Sequence, residues 1–595
     1  MRKSAERFVV NDASSGVYDM HYIVTIMDKE SEAKLLYESY DQDSKIKSME
    51  AYLYDAFGNL IRKIRKDEYK DQAMLDGFSV YQDNRVTVLE VNHPDLPYTI
   101  EWKYTKEVSG IEYALYPDWN PQGYHESVEQ ASMLIQIPID YEINIEKLNT
   151  DVKTKFKEEN GKKSYLWELQ NLKATQAEKY GPSSYQVLPK LIISPSQFVV
   201  DGHEGSLSSW KDYGQFMNEL YEGRDQLPKK VVNEVEALVA GIERDEEKIQ
   251  ILYQYLQEKM RYVSIQLGIG GWQPFDAEYV AENQYGDCKA LTNYMMALLK
   301  VAGIKSYPAL IRNGNLSYQI KENFAHPAFN HVILYIPEHD SWLECTSNNL
   351  PPNYIGSNNY NHPVLLITEE GGKIHHTPDQ DKTQNTETIK VNIKVETDGT
   401  AKVDYQSQLT GALHEKFRGM DNNYSEQDKK EWVLQQVEVP NFKLESFEIN
   451  AETEMPTSTY NYSGLSTNYI RKSGKRVFVP LNKVSNYGGV PDKMEDRQLP
   501  VIHKRDFVEN LEIKIELPNE WIPESIPSDS KVIESPFGTY KLSTVQEGNA
   551  VTLNRTIAYN RYEGGPESYA EMRKFYRSVN RMEKSQIVLK KEIKP

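Results

Sequence analysis

The chain has 595 residues, and 88 Asp and Glu against 69 Lys and Arg leave a formal net charge of −19. At roughly 150 residues per domain that length predicts three or four domains with real cores. So acidic a balance argues against a grip on duplex nucleic acid or on an anionic membrane face, both of which need clustered Lys and Arg. A hydrophobic content of 39% with 11% aromatics is too rich for a disordered chain. No apolar run approaches the ~18 residues that a spanning helix requires. The opening MRKSAERFVVNDASSG has basic residues without an apolar stretch behind them, so no secretory signal is expected. That fits a cytoplasmic chain or one already trimmed.

From Asp19 to Tyr104 the pattern is that of strands. Met49, Ala51 and Leu53 alternate with Glu50, Tyr52 and Tyr54, a turn follows at Asp55-Ala56-Phe57-Gly58-Asn59, and residues 86–104 repeat the period of two. The 41 tyrosines suit half-buried sheet faces, where a ring and a hydroxyl are both useful. Residues 1–205 therefore read as an all-β, sandwich-type N-terminal domain. The period then changes. Helices are predicted over 210–221 and 229–240, and a third starts at Asp245, with Ile249, Leu252, Tyr253, Leu256 and Met260 on one face. The Gly-rich QLGIGGWQPF, 266–275, must be loop. The next helix opens at Tyr285-Gly286-Asp287-Cys288, carries Leu291, Tyr294, Met295, Leu298, Leu299 and Ala302 as its apolar stripe, and ends at Gly303. Strands are predicted over 307–312, 330–336 and 341–346, which makes 206–370 an α+β domain.

Residues 371–388, GGKIHHTPDQDKTQNTET, lack periodicity and are predicted as a linker. Beyond them Ile389, Val391, Ile393 and Val395 alternate, turn at Asp398-Gly399 and return through Val403 and Tyr405. Helices are predicted near 425–437 and 566–583 and a last strand over 586–591, so 389–595 form a β-rich domain with a few helices.

Cys288 and Cys345 are the only cysteines. They can form one bridge, stay buried and inert, or include a nucleophile. Cys288 starts a helix, where the positive end of the dipole lowers a thiol's pKa and favours the nucleophilic thiolate. A thiol needs a base, and His331 opens the strand Asn330–Ile336. An imidazole needs a group that fixes its tautomer, and Glu344 lies in the following strand. If the two strands pair antiparallel through the turn 337–340, Glu344 lies beside His331. Each alone suits a bland structural role; their order on helix start, strand and strand raises all three. Alternation sends Cys345 to the opposite face, away from nucleophilic duty and from a bridge to Cys288. An oxyanion hole is also required: the Cys288 backbone N–H is the first candidate donor, and the Trp272 indole or the Gln273 amide the second. His375-His376 and His203-Glu204 lack metal-ligand spacing, and no phosphate-cradling loop or GxSxG elbow is present. No metal or cofactor is expected.

These residues resemble the core of the transglutaminase-like superfamily, a papain-like thiol fold with Cys–His–Asp triads. The matching segments are Tyr285-Gly286-Asp287-Cys288-Lys289, Asn330-His331-Val332 and Trp342-Leu343-Glu344-Cys345-Thr346. Gly270-Gly271-Trp272-Gln273-Pro274 and residues 86–104 look like a bacterial subset in which an N-terminal all-β domain of unknown function precedes the core. The resemblance is strongest from about 245 to 350 and loosest after 390. It implies that Cys288 is the nucleophile, His331 the general base and acid, and Glu344 the orienting carboxylate. The short gap from Cys288 to His331 suits this core better than a papain enzyme, whose His follows ~130 to 150 residues later. Glu344 stands where the family usually has Asp.

The expected function is acyl transfer from a peptide or glutamine-type amide through a Cys288 thioester. Water is the expected acceptor, with an amine as the other option. The competing expectation is an inactive scaffold that holds a peptide or glycan. The expected partner is a peptide or protein amide, a cell-envelope component included. Resemblance alone implies a periplasmic or envelope location, the alternative being cytoplasmic.

Overall fold

The computed structural model describes residues 1–74, 79–314, 320–485, 487, 489–527 and 530–591. They form two compact units: Met1–Ala177 with Ser183–Asn348 and Asn361–Thr377, and Glu178–Pro182 with Asn349–Tyr360 and Pro378–Pro595.

The first unit begins with an eight-stranded sheet. In spatial order its strands are Lys155–Glu159, Lys162–Leu172, Val128–Pro138, Lys3–Asp12, Ser15–Ile26, Tyr98–Ser109, Ser44–Tyr54 and Leu60–Lys63. All neighbours are antiparallel except Lys3–Asp12 with Val128–Pro138. In Tyr98–Ser109 the period of two buries Tyr98, Ile100, Trp102 and Tyr104. A second layer comes from a three-stranded sheet of Leu35–Tyr40, Arg85–Glu90 and Lys70–Ala73, whose Leu36 and Leu89 pack with Ala51, Leu53 and Ile100. This N-terminal part is all-β, as its alternation predicts.

One buried acid stands out there. Glu6 is 7% exposed and accepts from the Tyr18 hydroxyl at 2.6 Å. Burial outweighs that bond and raises its pKa to about 7. An acid with a raised folded pKa contributes stability that is present below its unfolded pKa, near 4.5, and is lost as pH rises through about 7. Glu6→Gln removes this titration. The variant should melt above the wild type at pH 8, by about 1–3 kcal/mol of stability, and near it at pH 4. An equal offset at both pH values would disprove the assignment.

The α+β part of this unit is a five-stranded antiparallel sheet in the order Ser341–Leu343, His331–Ile336, Tyr307–Ile311, Pro363–Thr368 and Gly371–His376. Against it lies the helix Cys288–Val301, with Leu291, Tyr294, Met295, Leu298 and Leu299 buried. The helices Lys229–Val239 and Asp245–Lys259 close the same apolar cluster.

The final strand corrects the linker predicted at 371–388. Gly371–His376 pairs with Pro363–Thr368, and the next strand already begins at Thr386. Glycines hide the strand from pattern reading. Gly371 turns at φ 108°, and a Cβ on Gly372 would lie 2.2 Å from the Trp210 carbonyl oxygen, so only Gly lets the hairpin seat on the helix Trp210–Tyr221. The boundary expected at 205 falls within the strand His203–Ser206, which pairs with Gln197–Val200. The 266–275 loop contains one 3₁₀ turn, Gly268–Gly271, and a short helix, Ala277–Asn283, follows it.

The second unit is built on an eight-stranded sheet. Its strands run Phe442–Ala451, Thr457–Ser466, Ala401–Thr410, Thr386–Val395, Val508–Glu516, Ala550–Tyr559, Gly538–Glu547 and Lys531–Ser535. Ile389, Val391, Ile393 and Val395 are all buried, and Gly399 turns the hairpin at φ 107°. The helix Ser568–Glu583 packs Met572, Phe575, Tyr576 and Val579 into the same core. Arg555 is fully buried, in ion pairs with Glu509 and with Glu583, the latter at 2.9 Å. No helix among the described residues is long and apolar enough to cross a membrane.

Candidate active site

The helix carrying Cys288 starts where it does because Asp287 caps it: its Oδ1 accepts from the Ala290 backbone N–H at 3.0 Å. Just ahead, Gly286 pairs in parallel with Tyr262 of the short strand Arg261–Tyr262. A Cβ at Gly286 would come within 2.9 Å of the Ala290 Cβ, so glycine permits the close entry into the helix. As the first helical residue, Cys288 has a backbone N–H with no partner within the helix. Asn293 fixes the helix from outside by donating to the Arg224 carbonyl at 2.8 Å.

His331 begins the neighbouring strand, and Ile336↔Ser341, Tyr335↔Trp342 and Leu334↔Leu343 pair antiparallel with the next. Glu344 follows Leu343 directly. In that register it falls on the face of Ile333 and His331, and its Oε2 lies 2.8 Å from His331 Nε2. Glu344 is itself held: Oε1 accepts from the Thr346 N–H at 3.1 Å and its hydroxyl at 2.5 Å, and the Tyr253 hydroxyl donates to the Glu344 carbonyl at 2.9 Å. Asn348 ties the following turn to the Gln257 carbonyl of the helix Asp245–Lys259 and to the carbonyl of Met260 just beyond it. The Cys288 side chain acts on the same imidazole and helps to raise its pKa.

The electrostatics follow from this chain of contacts. Burial favours the neutral imidazole, but the Glu344 carboxylate and the Cys288 sulfur reverse that and raise the His331 pKa to about 10. Burial also opposes the charge on Glu344, yet His331 and the two Thr346 bonds hold its carboxyl below the ordinary range.

Both cysteines are free. Cys345 is 3% exposed and sits in a different apolar cluster from Cys288. Burial, with the Glu344 charge beside it, pushes its thiol well up.

The two oxyanion candidates fare differently. Trp272 shares an apolar cluster with Cys288, but its ring packs edge-on among Phe198, Tyr213 and Phe216 at 5.7 to 5.9 Å. The Gln273 backbone N–H already donates to the Ile269 carbonyl at 2.8 Å, which commits that amide to the turn. Pattern reading missed Tyr262. Its hydroxyl feels the charges of Cys288, Asp287 and Glu344, and burial first, then the sulfur, raises its pKa to about 12. Nothing in the sequence marks it, because a parallel bridge to Gly286 places it.

His375 and His376 lie on a strand, where His375 stacks on Trp342 at 5.9 Å. His203 and Glu204 lie on the strand His203–Ser206. Among the described residues, one group has metal-ligand proximity: Asp245, Glu338 and His339, at the other end of the His331 hairpin.

Residues 233–344 match the model of the transglutaminase-like superfamily, 12–176 that of a domain of unknown function, DUF3857, and 475–589 that of a second, DUF3858. No curated protein matches the chain. The fold is similar to that of a "putative protease" from Parabacteroides distasonis, with a TM-score of 0.66 and 14% identity over 99% of this chain and 98% of that one. A "putative cysteine protease" from Cytophaga hutchinsonii is a far looser match, with a TM-score of 0.18 and 9% identity over 62% of this chain and 87% of that one. The chain therefore carries a transglutaminase-like domain between a DUF3857 and a DUF3858 domain, and it shares its multidomain, strand-rich fold with the Parabacteroides protein.

Proposed function

We propose that the chain is a thiol-dependent acyl-transfer enzyme that cleaves a peptide or glutamine-type amide, with water as the acceptor. The observation that carries the reading is one buried imidazole, 2.8 Å from the Glu344 carboxylate, whose pKa both Glu344 and Cys288 raise. In this reaction His331, protonated up to about pH 10, supplies the proton, and the Cys288 sulfur reacts as the nucleophilic thiolate. The sulfur attacks the amide carbon, forming a C–S bond, and the carbonyl oxygen takes the negative charge beside the Cys288 N–H. As the C–N bond breaks, His331 gives its proton to the leaving amine or ammonia. Water then attacks the thioester and passes a proton to His331. The C–S bond breaks to release the acid and restore the thiolate–imidazolium pair. Glu344 stays ionised throughout and steadies the ring.

One observation favours the other reading, a non-catalytic peptide-binding scaffold: Cys288 is only 6% exposed. Alkylation by iodoacetamide separates the two. At pH 7 Cys288 should label about a hundredfold faster than Cys345, because only the first is paired with an imidazolium. Equal, sluggish labelling of both thiols would defeat the enzyme reading.

A further inference from the structure

An Asp–Lys ion pair is almost wholly buried at the start of the Cys288 helix. Lys289 Nζ lies 2.5 Å from Asp287 Oδ2, with side-chain exposures of 4% and 3%. The other Asp287 oxygen caps the helix at Ala290, so one carboxylate does both jobs. Tyr221 and Tyr262 each feel the charges of both Cys288 and Asp287, which places the carboxylate and the sulfur in one electrostatic neighbourhood. Fold stability alone explains the pair poorly, since desolvation offsets most of the attraction within a buried ion pair and apolar replacements often do as well. Capping explains Asp287 but not Lys289, because a neutral Asn or Ser caps without bringing in a charge that needs a partner.

We propose that Asp287 and Lys289 are positioning residues for Cys288. The carboxylate fixes the first helical turn, and the ammonium cancels its charge so that it does not oppose a thiolate on the next residue. The inference rests on Cys288 being the nucleophile. Without Lys289, an uncompensated carboxylate beside the sulfur would favour the protonated thiol. Without the Asp287 charge, a lone ammonium would favour the thiolate.

The test is the pH dependence of iodoacetamide alkylation at Cys288, followed by peptide mass spectrometry on the full chain. Lys289→Met should move the midpoint up by about one pH unit, and Asp287→Asn, which keeps a capping oxygen, should move it down by about as much. The double variant Asp287→Asn/Lys289→Met restores neutrality and should return to within about 0.3 of the wild-type midpoint. Lys289→Arg keeps the charge and should stay at the wild-type midpoint. If Lys289→Met fails to fold, Asp287→Asn and Lys289→Arg carry the comparison. Single variants that titrate with the wild type, or a double variant displaced further than either single, would overturn the proposal. Fast wild-type labelling with unmoved variants would sink this role alone. Slow wild-type labelling would sink the enzyme reading with it.

Discussion

Cys288→Ala should abolish amide turnover, a loss of about 10⁴-fold or more, while leaving the fold intact. The magnitude follows from the role. Without the sulfur no thioester forms, and His331 and Glu344 have no nucleophile to serve, so what remains is the small rate that a binding site gives by itself. The fold should tolerate the change because Cys288 occupies the first helical position and alanine is a good helix former there. The measurement is release of ammonia or of a new amine from peptide and glutamine-amide donors, wild type against variant, with thermal unfolding as the control. Cys345→Ala is the matched comparison and should keep turnover, since that thiol lies in a separate apolar cluster. Turnover that survives in Cys288→Ala would remove the thioester mechanism. Wild-type protein inert toward every donor would leave the scaffold reading in possession.

How legible the site was depended on how far apart its parts lie in sequence. Cys288 could be read because capping and the stripe from Leu291 to Leu299 are local signals, resolved within a few turns of one helix. Glu344 could be placed beside His331 because a short turn and strand alternation fix antiparallel register over a few residues. Tyr262 could not, since a parallel bridge joins it to Gly286 and nothing nearby in the sequence announces such pairing. The same limit hid the parallel pairing of Lys3–Asp12 with Val128–Pro138 inside an otherwise predictable all-β domain. The strand Gly371–His376 reads as linker in sequence because its glycines, two histidines and a lysine suit a loop. What makes it a strand is an approach of backbones that only an absent side chain allows. The Asp287–Lys289 pair was in plain view as letters, but burial, which gives it meaning, is a property of the folded chain.

Glu344→Gln should lower kcat by about 10²- to 10⁴-fold, and its pH behaviour should show why. Glutamine is nearly isosteric and can still meet His331 Nε2, but it lacks the charge. Burial would then prevail at His331, and the imidazole pKa should fall from about 10 toward or below its ordinary value of 6.5. At neutral pH the ring would be mostly neutral and the thiolate would lose its counterion, so Cys288 alkylation at pH 7 should slow along with turnover. Stability gives an independent reading. A His with a raised folded pKa contributes stabilisation that is fully present below about 6.5 and is lost as pH rises through about 10. The deficit of Glu344→Gln against wild type should therefore be widest near pH 6 and shrink toward pH 10. Glu344→Asp keeps the charge but shortens the reach by one methylene, and it should retain the pH profile with a turnover loss of only about tenfold. If Glu344→Gln loses turnover with no change in either pH profile, the carboxylate serves as packing and not as the partner that keeps His331 charged.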